Sequence, residues 1–304
     1  MKTLVADGQD YFGMTGFPIL AGRSITNPTT DDPPSHPHDL TEIEHSHDFC
    51  ELAIVSQGQG LQSLEGMDLP ITAGDVFLLQ GRQRHFFHNR NDLIMYNVMY
   101  NPDLIMWPEN ELRCMPGYCA MFMLEPTYRK QHRFASRLHL KRMQLAHVEA
   151  ICNEMERESK DKTPGHEIVL RAKLLELIAY LSRAYMQGES TETRALLRVG
   201  EVIGAMENDF SNDWKLDELA RIAHMSKSNL LTVFRKATGQ TPIDYLMRLR
   251  IQRAMEMLQQ TDRTITEIAF AVGFNDSNYF TRQFRKVAGL PPRQYRTQHQ
   301  GFPA

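Results

Sequence analysis

The sequence predicts an α+β chain of dissimilar parts: a small antiparallel barrel or sandwich with flanking helices, then an all-α domain of two helix-turn-helix units joined by a long helix. Three observations predict it. Short segments with strand character run from 48 to 100, the apolar period turns helical beyond about 134, and the last third of the chain repeats itself. A length of 304 residues accommodates that division, and 42% hydrophobic with 23% charged content is ordinary for a globular protein.

The elements follow in order. After an N-terminal arm, residues 22 to 41, GRSITNPTTDDPPSHPHDLT, carry Pro, Asp, Ser and Thr without an apolar period and predict a loop or linker. DFCELAIVSQGQGLQSL predicts a strand, a Gly-bearing turn and a second strand; LPITAGDVFLLQ, RQRHFFHN and DLIMYNVMY predict further strands at turn-punctuated spacing. In RLHLKRMQLAHVEAICNEMERES, Leu138, Leu145 and Cys152 recur every seven residues with Val148, Ile151 and Met155 beside them, which predicts a helix with one apolar face. GHEIVLRAKLLELIAYLSRAYM is apolar on most of its circumference and predicts a largely buried helix. Either helix forms a dimer seam, or both pack on the barrel or on each other. The expected division is an arm and barrel over 1–134, a helical dimerisation or linker region over 135–195 and the repeated domain over 196–304.

The repeat is internal and exact in its key positions. Leu216, Glu218 and Ala220 fall 49 residues before Ile265, Glu267 and Ala269; after a one-residue insertion, Phe234, Arg235, Lys236, Gly239, Pro242 and Tyr245 fall 50 before Phe284, Arg285, Lys286, Gly289, Pro292 and Tyr295. Each copy predicts a short helix, a tight turn and a second helix. Thr264 with Glu267 forms a capping box, Gly273 suits the left-handed end of the first helix, and Ser226 and Asp276 suit the N-caps of the second helices. An amphipathic helix from Tyr245 to Leu258 joins the copies.

Charge is partitioned in the same way. Residues 214 to 304 hold 14 Lys+Arg against 7 Asp+Glu, a net +7, while residues 1 to 213 hold 20 against 30, a net −10, within an overall −3. A basic block on an acidic remainder is the electrostatic arrangement of a chain whose tail meets nucleic acid, although a solvated basic face has the same signature. The four cysteines, at 50, 114, 119 and 152, form no C-x-x-C pair and indicate neither a disulfide framework nor a thiolate zinc site. MKTLVADGQDYFGM lacks the basic start and apolar core of a secretion signal, and no apolar run approaches the ~20 residues of a membrane span. The expectation is a cytoplasmic protein with no membrane partner.

In the second helix of each copy, Leu230, Phe234 and Ala237, or Phe280, Phe284 and Val287, recur at helical spacing and face a core. The opposite face then carries Ser228, Asn229, Leu231, Thr232 and Arg235 in the first copy, and Ser277, Asn278, Thr281, Arg282 and Arg285 in the second. Asn suits paired hydrogen bonds to adenine and Arg to guanine, Ser and Thr reach bases or phosphates, and Leu231 offers apolar contact to thymine methyls. Lys227, Arg235, Lys236, Arg285 and Lys286 fit phosphate contacts or solvated charge.

The stretch EHSHDFCEL, residues 44 to 52, raises a separate question. If extended, it projects His45, His47, Phe49 and Glu51 from one face. Two imidazoles and a carboxylate suit zinc, iron or manganese, and are also the donors of non-haem iron oxygenases. Spacing alone leaves three readings open: a metal site, a small-molecule pocket, and histidines held only for structure.

The tandem units, the connecting R-I-Q-R-A-M-E-M-L and the final G-F-N-D-S-N-Y-F-T-R-Q-F-R-K-V-A-G-L-P-P-R-Q-Y-R resemble the DNA-binding domain of the AraC/XylS family of transcription factors, over about 196 to 297. The resemblance implies that both second helices enter successive major grooves of double-stranded DNA, with a homodimer and RNA polymerase as partners and no enzymatic activity. Relatives often place Arg or Gln where the first copy has Ser228, Leu231 and Thr232. His45-x-His47-x3-Glu51-x6-Gly58 is similar to the first cupin motif, and Gly74-x5-Gln80-x-Arg82-x2-His85-x3-Asn89 to the second, with Gln80 and Arg82 replacing the usual Pro and Gly. In metal-binding cupins the residues matching His45, His47, Glu51 and His85 hold the ion. In this family such barrels commonly bind a sugar without metal, which implies those four as effector contacts and no cofactor, with Phe86 or Phe87 stacking on a sugar ring. H-S-H-D-F-C-E-L, G-Q-G, G-D-V-F and F-N-D-S-N-Y-F are most similar to the L-rhamnose-responsive activators of the family. A metal-dependent cupin oxygenase or isomerase fused to a DNA-binding tail is the alternative; a DNA-repair methyltransferase and an architectural DNA binder fit less well. His36 and His38 read as loop residues, and Phe12 and Phe17 as part of an arm over the pocket or as residues buried on the barrel.

Overall fold

The computed structural model describes residues 4–6, 8, 12, 16–25, 43–105, 108–129 and 136–299. Its contacts divide the chain into two compact units, 1–112 with 117–197 and 113–116 with 198–304.

The first unit is built on an eight-stranded sheet of β1 (Leu4–Ala6), β2 (Ile19–Ile25), β3 (His45–His47), β4 (Cys50–Leu64), β5 (Met67–Thr72), β6 (Asp75–Leu79), β7 (His85–Tyr100) and β8 (Leu138–His139). Its spine is the antiparallel β4–β7 ladder, which runs from Cys50 opposite Tyr100 to Leu64 opposite His85. At one end β2 pairs with β7, and β6 pairs with β4 and then with β8. At the other end β3 pairs with β7 through His45 and His85, β1 runs parallel to β3, and β5 pairs with β4. Between the ends the β4–β7 register slips three times, at Val55/Gln57, Gln57/Gln59 and Gln59/Leu61.

Those slips bend the spine. Gly58 adopts φ 75°, and a Cβ there would stand 2.2 Å from the Asp92 carbonyl oxygen; on β7, Asn89 and Asp92 also have positive φ. Bulges at one level of both strands turn the ladder on itself. Ala53, Val55, Phe77, Leu79 and Met95 from one end then share a core with Leu64, Leu69, Ile71 and Phe87 from the other.

Three expectations are corrected here. The Gly-bearing turn within 48–64 is a bulge in one continuous strand, and RQRHFFHN and DLIMYNVMY contribute to one strand rather than two. The local composition is that of a turn, but each strand finds its partner in the other and stays paired through the bend. The loop expected from 22 is corrected for 22–25, which belong to β2; ladder bonds join main-chain groups and require no apolar period. Residues 26–42, with His36 and His38, lie outside the described residues.

A short helix α1 (Glu109–Arg113) precedes a helical segment α2 (116–128) whose middle, Cys119–Leu124, is π-helical. The heptad read from Leu138 starts too early: Leu138 pairs with Val76 in the sheet, and helix α3 is Arg142–Asp161. Val148, Ile151, Cys152 and Met155 of α3 are buried where it crosses β2 and β7. Ser159 Oγ accepts from the Ala21 amide at 3.1 Å, and Tyr96 donates its hydroxyl to Asn153 at 2.7 Å. Helix α4 (His166–Tyr185) packs on α3 with Leu174, Leu177, Ile178 and Leu181 buried, while Ile168 and Val169 are exposed. The buried parts of both apolar stripes thus pack within the unit, with Met143 of α3 exposed as well.

Helix α5 (Thr191–Asn208) runs across the division of the chain. The second unit continues with α6 (Leu216–Ile222), α7 (Lys227–Thr238), α8 (Pro242–Gln260), α9 (Ile265–Ala271), α10 (Ser277–Ala288) and α11 (Pro292–His299). Ser226 accepts from the Asn229 amide, Asp276 from that of Tyr279, and Thr264 with Glu267 closes a capping box. Gly239 and Gly289 end α7 and α10 at φ 77°. The left-handed residue of each tight turn is Gly273 in the second copy and His224, at φ 50°, in the first. Phe280 and Phe284 pack with Ile251, Ala254, Ile268 and Val272, while Val287 is exposed rather than part of the predicted core.

A buried carboxylate joins three parts of this unit. Glu207 of α5 accepts from Arg253 Nη2 at 3.0 Å and from the Tyr245 hydroxyl at 3.2 Å, both on α8, and lies 3.7 Å from Arg113 Nη1. Removing one partner of such a pair leaves a buried charge uncompensated. Glu207→Ala is expected to destabilise the second unit by about 3–5 kcal/mol, read as a lower midpoint in chemical denaturation; a change below about 1 kcal/mol would make the pair dispensable.

Candidate functional site

Strand pairing assembles the first site. The register that places His45 against His85 and Glu51 near the start of β4 brings His45, His47, Glu51 and His85 together at one end of the shared core. His45 Nδ1 lies 3.1 Å from the Ile43 carbonyl oxygen, His47 Nδ1 2.8 Å from that of Phe49 and His85 Nδ1 2.9 Å from that of Gln83. A carbonyl only accepts, so Nδ1 is the protonated nitrogen in all three rings and Nε2 is the remaining atom for chemistry.

Two of those Nε2 atoms face one carboxylate oxygen. Glu51 Oε2 is 3.0 Å from His47 Nε2 and 3.5 Å from His85 Nε2. Burial pushes the Glu51 carboxyl up, but the hydrogen bond with His47 and the nearby His85 ring outweigh it and hold the group well below the ordinary carboxylate range. Burial, reinforced by His85, lowers His45 to about 4 and keeps that ring neutral near pH 7. Ligand atoms of His45, Glu51 and His85 lie within 4.8 Å of one another, a donor set that fits a divalent transition metal, whereas His47 falls outside the trio.

In front of the cluster is a cavity of about 410 Å³ whose lining includes Asp48, Phe49, Gln80, Gln83, Asn101 and Asp103. The four cluster residues are not in that lining; Phe49, stacked on His47 at 4.3 Å, and Gln83, whose carbonyl holds His85, separate them from it. Sequence reasoning missed the lining polar groups because they come from three separate loops. Phe87, expected to stack on a ligand, is buried in the core, and Phe86 stacks on His88 at 5.1 Å. Phe12 is buried edge-on against Phe49 at 5.4 Å, and Phe17 is buried with Arg171 over its ring.

The second site is the pair of helix faces on α7 and α10. Ser228, Asn229, Thr232 and Arg235 are exposed with Leu231 half-buried; Asn278, Arg282 and Arg285 are exposed with Ser277 and Thr281 half-buried. Thr232 and Thr281 donate their hydroxyls to the Ser228 and Ser277 carbonyls at 2.9 and 2.8 Å. Both hydroxyls remain acceptors and both methyls are left for apolar contact. Arg282 rests over the exposed Tyr279 ring at 5.7 Å. Tyr279 was absent from the sequence-based set, although its spacing three residues before Arg282 signalled the contact. Lys227 is paired with Asp217 at 2.5 Å.

Comparison with known proteins adds the following. Residues 35–221 match the AraC-like ligand binding domain, and residues 219–298 a helix-turn-helix domain. The chain is 29% identical over 262 residues to the HTH-type transcriptional activator RhaR of Salmonella dublin, covering 86% of this chain and 89% of that protein. It is 30% identical over 256 residues to the activator of the same name from Enterobacter sp. strain 638, covering 83% and 86%. A transcriptional regulator of the AraC-type DNA-binding class from Chromobacterium violaceum is similar at 29% identity, covering 35% of this chain and 95% of that structure, with a TM-score of 0.33. Among the described residues no helix is long and apolar enough to cross a membrane.

On a duplex selected from random sequence by the full chain, Arg282→Ala is expected to weaken binding by ~1–3 kcal/mol and relax preference at one base pair. Lys286→Ala should instead flatten the salt dependence with base preference intact. Fluorescence anisotropy across a salt series checks both, and unchanged affinity and preference in Arg282→Ala would remove that residue from base contact.

Proposed function

Because this chain belongs to the AraC family of transcription regulators, joining an AraC-like ligand-binding domain to a helix-turn-helix domain, we propose that it activates a sugar-utilisation operon in response to a small sugar bound in its N-terminal barrel. The family consists of regulators rather than enzymes, which sets aside the fused oxygenase or isomerase. The observation that carries the proposal is the likeness to proteins named as activators through both domains, not through the DNA-binding part alone.

The cavity chemistry supports a polyol. Asp48 and Asp103 are acceptors for sugar hydroxyls, Gln80, Gln83 and Asn101 offer both donors and acceptors, and Phe49 supplies an apolar wall. A volume of about 410 Å³ falls in the roughly 300–1,000 Å³ range of small-molecule sites. His45, His47, Glu51 and His85 back this wall and fix its shape, and L-rhamnose leads the candidates through the sequence likeness to rhamnose-responsive activators.

On the DNA side, α7 and α10 occupy successive major grooves, about 34 Å apart. Base contacts fall to Ser228, Asn229, Leu231 and Thr232 in one groove and to Ser277, Asn278, Thr281 and Arg282 in the next, with Arg235 and Arg285 on phosphates or base edges. The reading keeps 1–134 as sensor, 135–195 as the dimerisation and linker region and 196–304 as the DNA reader. A second copy of the chain and RNA polymerase complete the assembly. Ligand control requires that the sugar bind the transcriptionally competent state more tightly than the other.

The check is the thermal midpoint of the full chain against a sugar panel led by L-rhamnose, in buffer with a chelator. A sugar at ~100 times its Kd adds about 2.7 kcal/mol, which moves the sensor transition by several degrees. Asp103→Ala is expected to abolish the shift while leaving DNA affinity intact. A panel without any selective shift would overturn the sugar reading.

A further inference from the structure

We propose that His45, Glu51 and His85 bind one divalent transition-metal ion behind the effector cavity, with His47 outside the coordination sphere as the residue that orients the Glu51 carboxylate. The inference goes beyond the sugar reading and does not depend on which effector fills the cavity.

Four observations carry it. The ligand atoms of His45, Glu51 and His85 lie within 4.8 Å of one another, close enough for a single ion to meet all three. The Nδ1 atoms of both histidines are tied to the backbone carbonyls of Ile43 and Gln83, the outer arrangement that fixes a metal-binding imidazole with Nε2 toward the ion. His85 is 1% exposed, and its Nε2 has no hydrogen-bond partner among the described residues although it points at Glu51. A buried polar atom left in that state is costly, and a cation between Nε2 and the carboxylate satisfies both acceptors.

The fourth observation concerns His47. Both of its nitrogens are engaged, Nδ1 on the Phe49 carbonyl at 2.8 Å and Nε2 on Glu51 Oε2 at 3.0 Å. Its ring lies flat on Phe49 with centroids 4.3 Å apart. The four-ligand set implied by the cupin resemblance therefore becomes three ligands and one positioning residue, which connects the ion to the cavity wall through Phe49.

The donor set selects the class of ion. Two imidazoles and one carboxylate suit Zn²⁺, Fe²⁺, Co²⁺ or Mn²⁺, whereas Mg²⁺ and Ca²⁺ prefer all-oxygen sites. The site also spans the bend of the sheet. Glu51 comes from the β4 end that pairs with β6, while His45 and His85 pair across the opposite end. An ion here clamps the two ends against each other.

The test uses the full chain, stripped with chelator and without sugar, titrated with Co²⁺. The expected result is one equivalent of bound ion with ligand-field absorption and a raised thermal midpoint of the N-terminal unit. His85→Ala and Glu51→Gln should each abolish that equivalent, and His47→Gln should retain it with affinity weakened 10–100-fold. Absence of a bound equivalent overturns the proposal, as does full-stoichiometry binding in both His85→Ala and Glu51→Gln, which would place the ion on other histidines. If His47→Gln abolishes binding as completely as His85→Ala, its assignment outside the coordination sphere is overturned. X-ray absorption at the cobalt edge of the unaltered protein provides a readout independent of variant folding; fewer than two imidazole donors would overturn the site. Because this titration contains no sugar and the sugar panel contains no free metal, either reading can fail without the other.

Discussion

The first unit depends on one constraint, the bent β4–β7 ladder. Two strands of 15 and 16 residues stay paired through three register slips, so a single antiparallel pair supplies the inner faces of both ends of the sheet. The bend rests on backbone sterics: the Asp92 carbonyl fills the space that a Cβ on Gly58 would occupy, while Asn89 and Asp92 adopt left-handed φ opposite it. A straight ladder would hold Val55 and Leu64 on distant parts of one open sheet. Bent, it places them in the same core, and with them the histidines of β3 and β7 against the glutamate of β4.

The second unit works by repetition with two substitutions of detail. Both copies use a side-chain N-cap, a left-handed turn residue and a C-terminal glycine, although the cap is Ser226 in one and Asp276 in the other and the turn residue His224 or Gly273, so both second helices are held in the same way by local chemistry. Their outward faces then diverge. The second copy presents Asn278 and Arg282, the latter supported by Tyr279, whereas the first has Ser228 and Thr232 at the corresponding positions. The exposed side chains that carry hydrogen-bonding groups therefore differ between the two helices, with an arginine on α10 where α7 has Thr232. The chain also passes between its two units more than once: residues 113–116 group with the second unit while their neighbours on both sides group with the first, and Arg113 reaches the buried Glu207.

Much of the second unit was legible in the sequence. Thr264 with Glu267, Ser226, Asp276, Gly239 and Gly289 are signals that act within four residues of themselves, and the repeat showed the C-terminal glycine in both copies. The left-handed turn at His224 was not legible, because histidine carries no such mark; only its alignment with Gly273 reveals it. In the first unit the strands were visible but their joins were not. Gly58 and Asn89 are turn residues by composition, and the distinction between a turn and a bulge lies in a partner strand some thirty residues away.

The same division holds for the sites. By itself the sequence determined the second helix of each repeat with its outward residues, the basic partition of charge and the four residues His45, His47, Glu51 and His85 as one group, because helical period and motif spacing are local properties. The tertiary structure alone decided that ligand atoms of His45, Glu51 and His85 lie within 4.8 Å of one another, that His47 Nε2 meets Glu51 at 3.0 Å, that Phe87 is core, and that Asp48, Gln80, Gln83, Asn101 and Asp103 line the cavity. Each of those outcomes depends on which strand lies beside which and where the ladder bends, and that is fixed by pairing and packing between residues far apart in the chain.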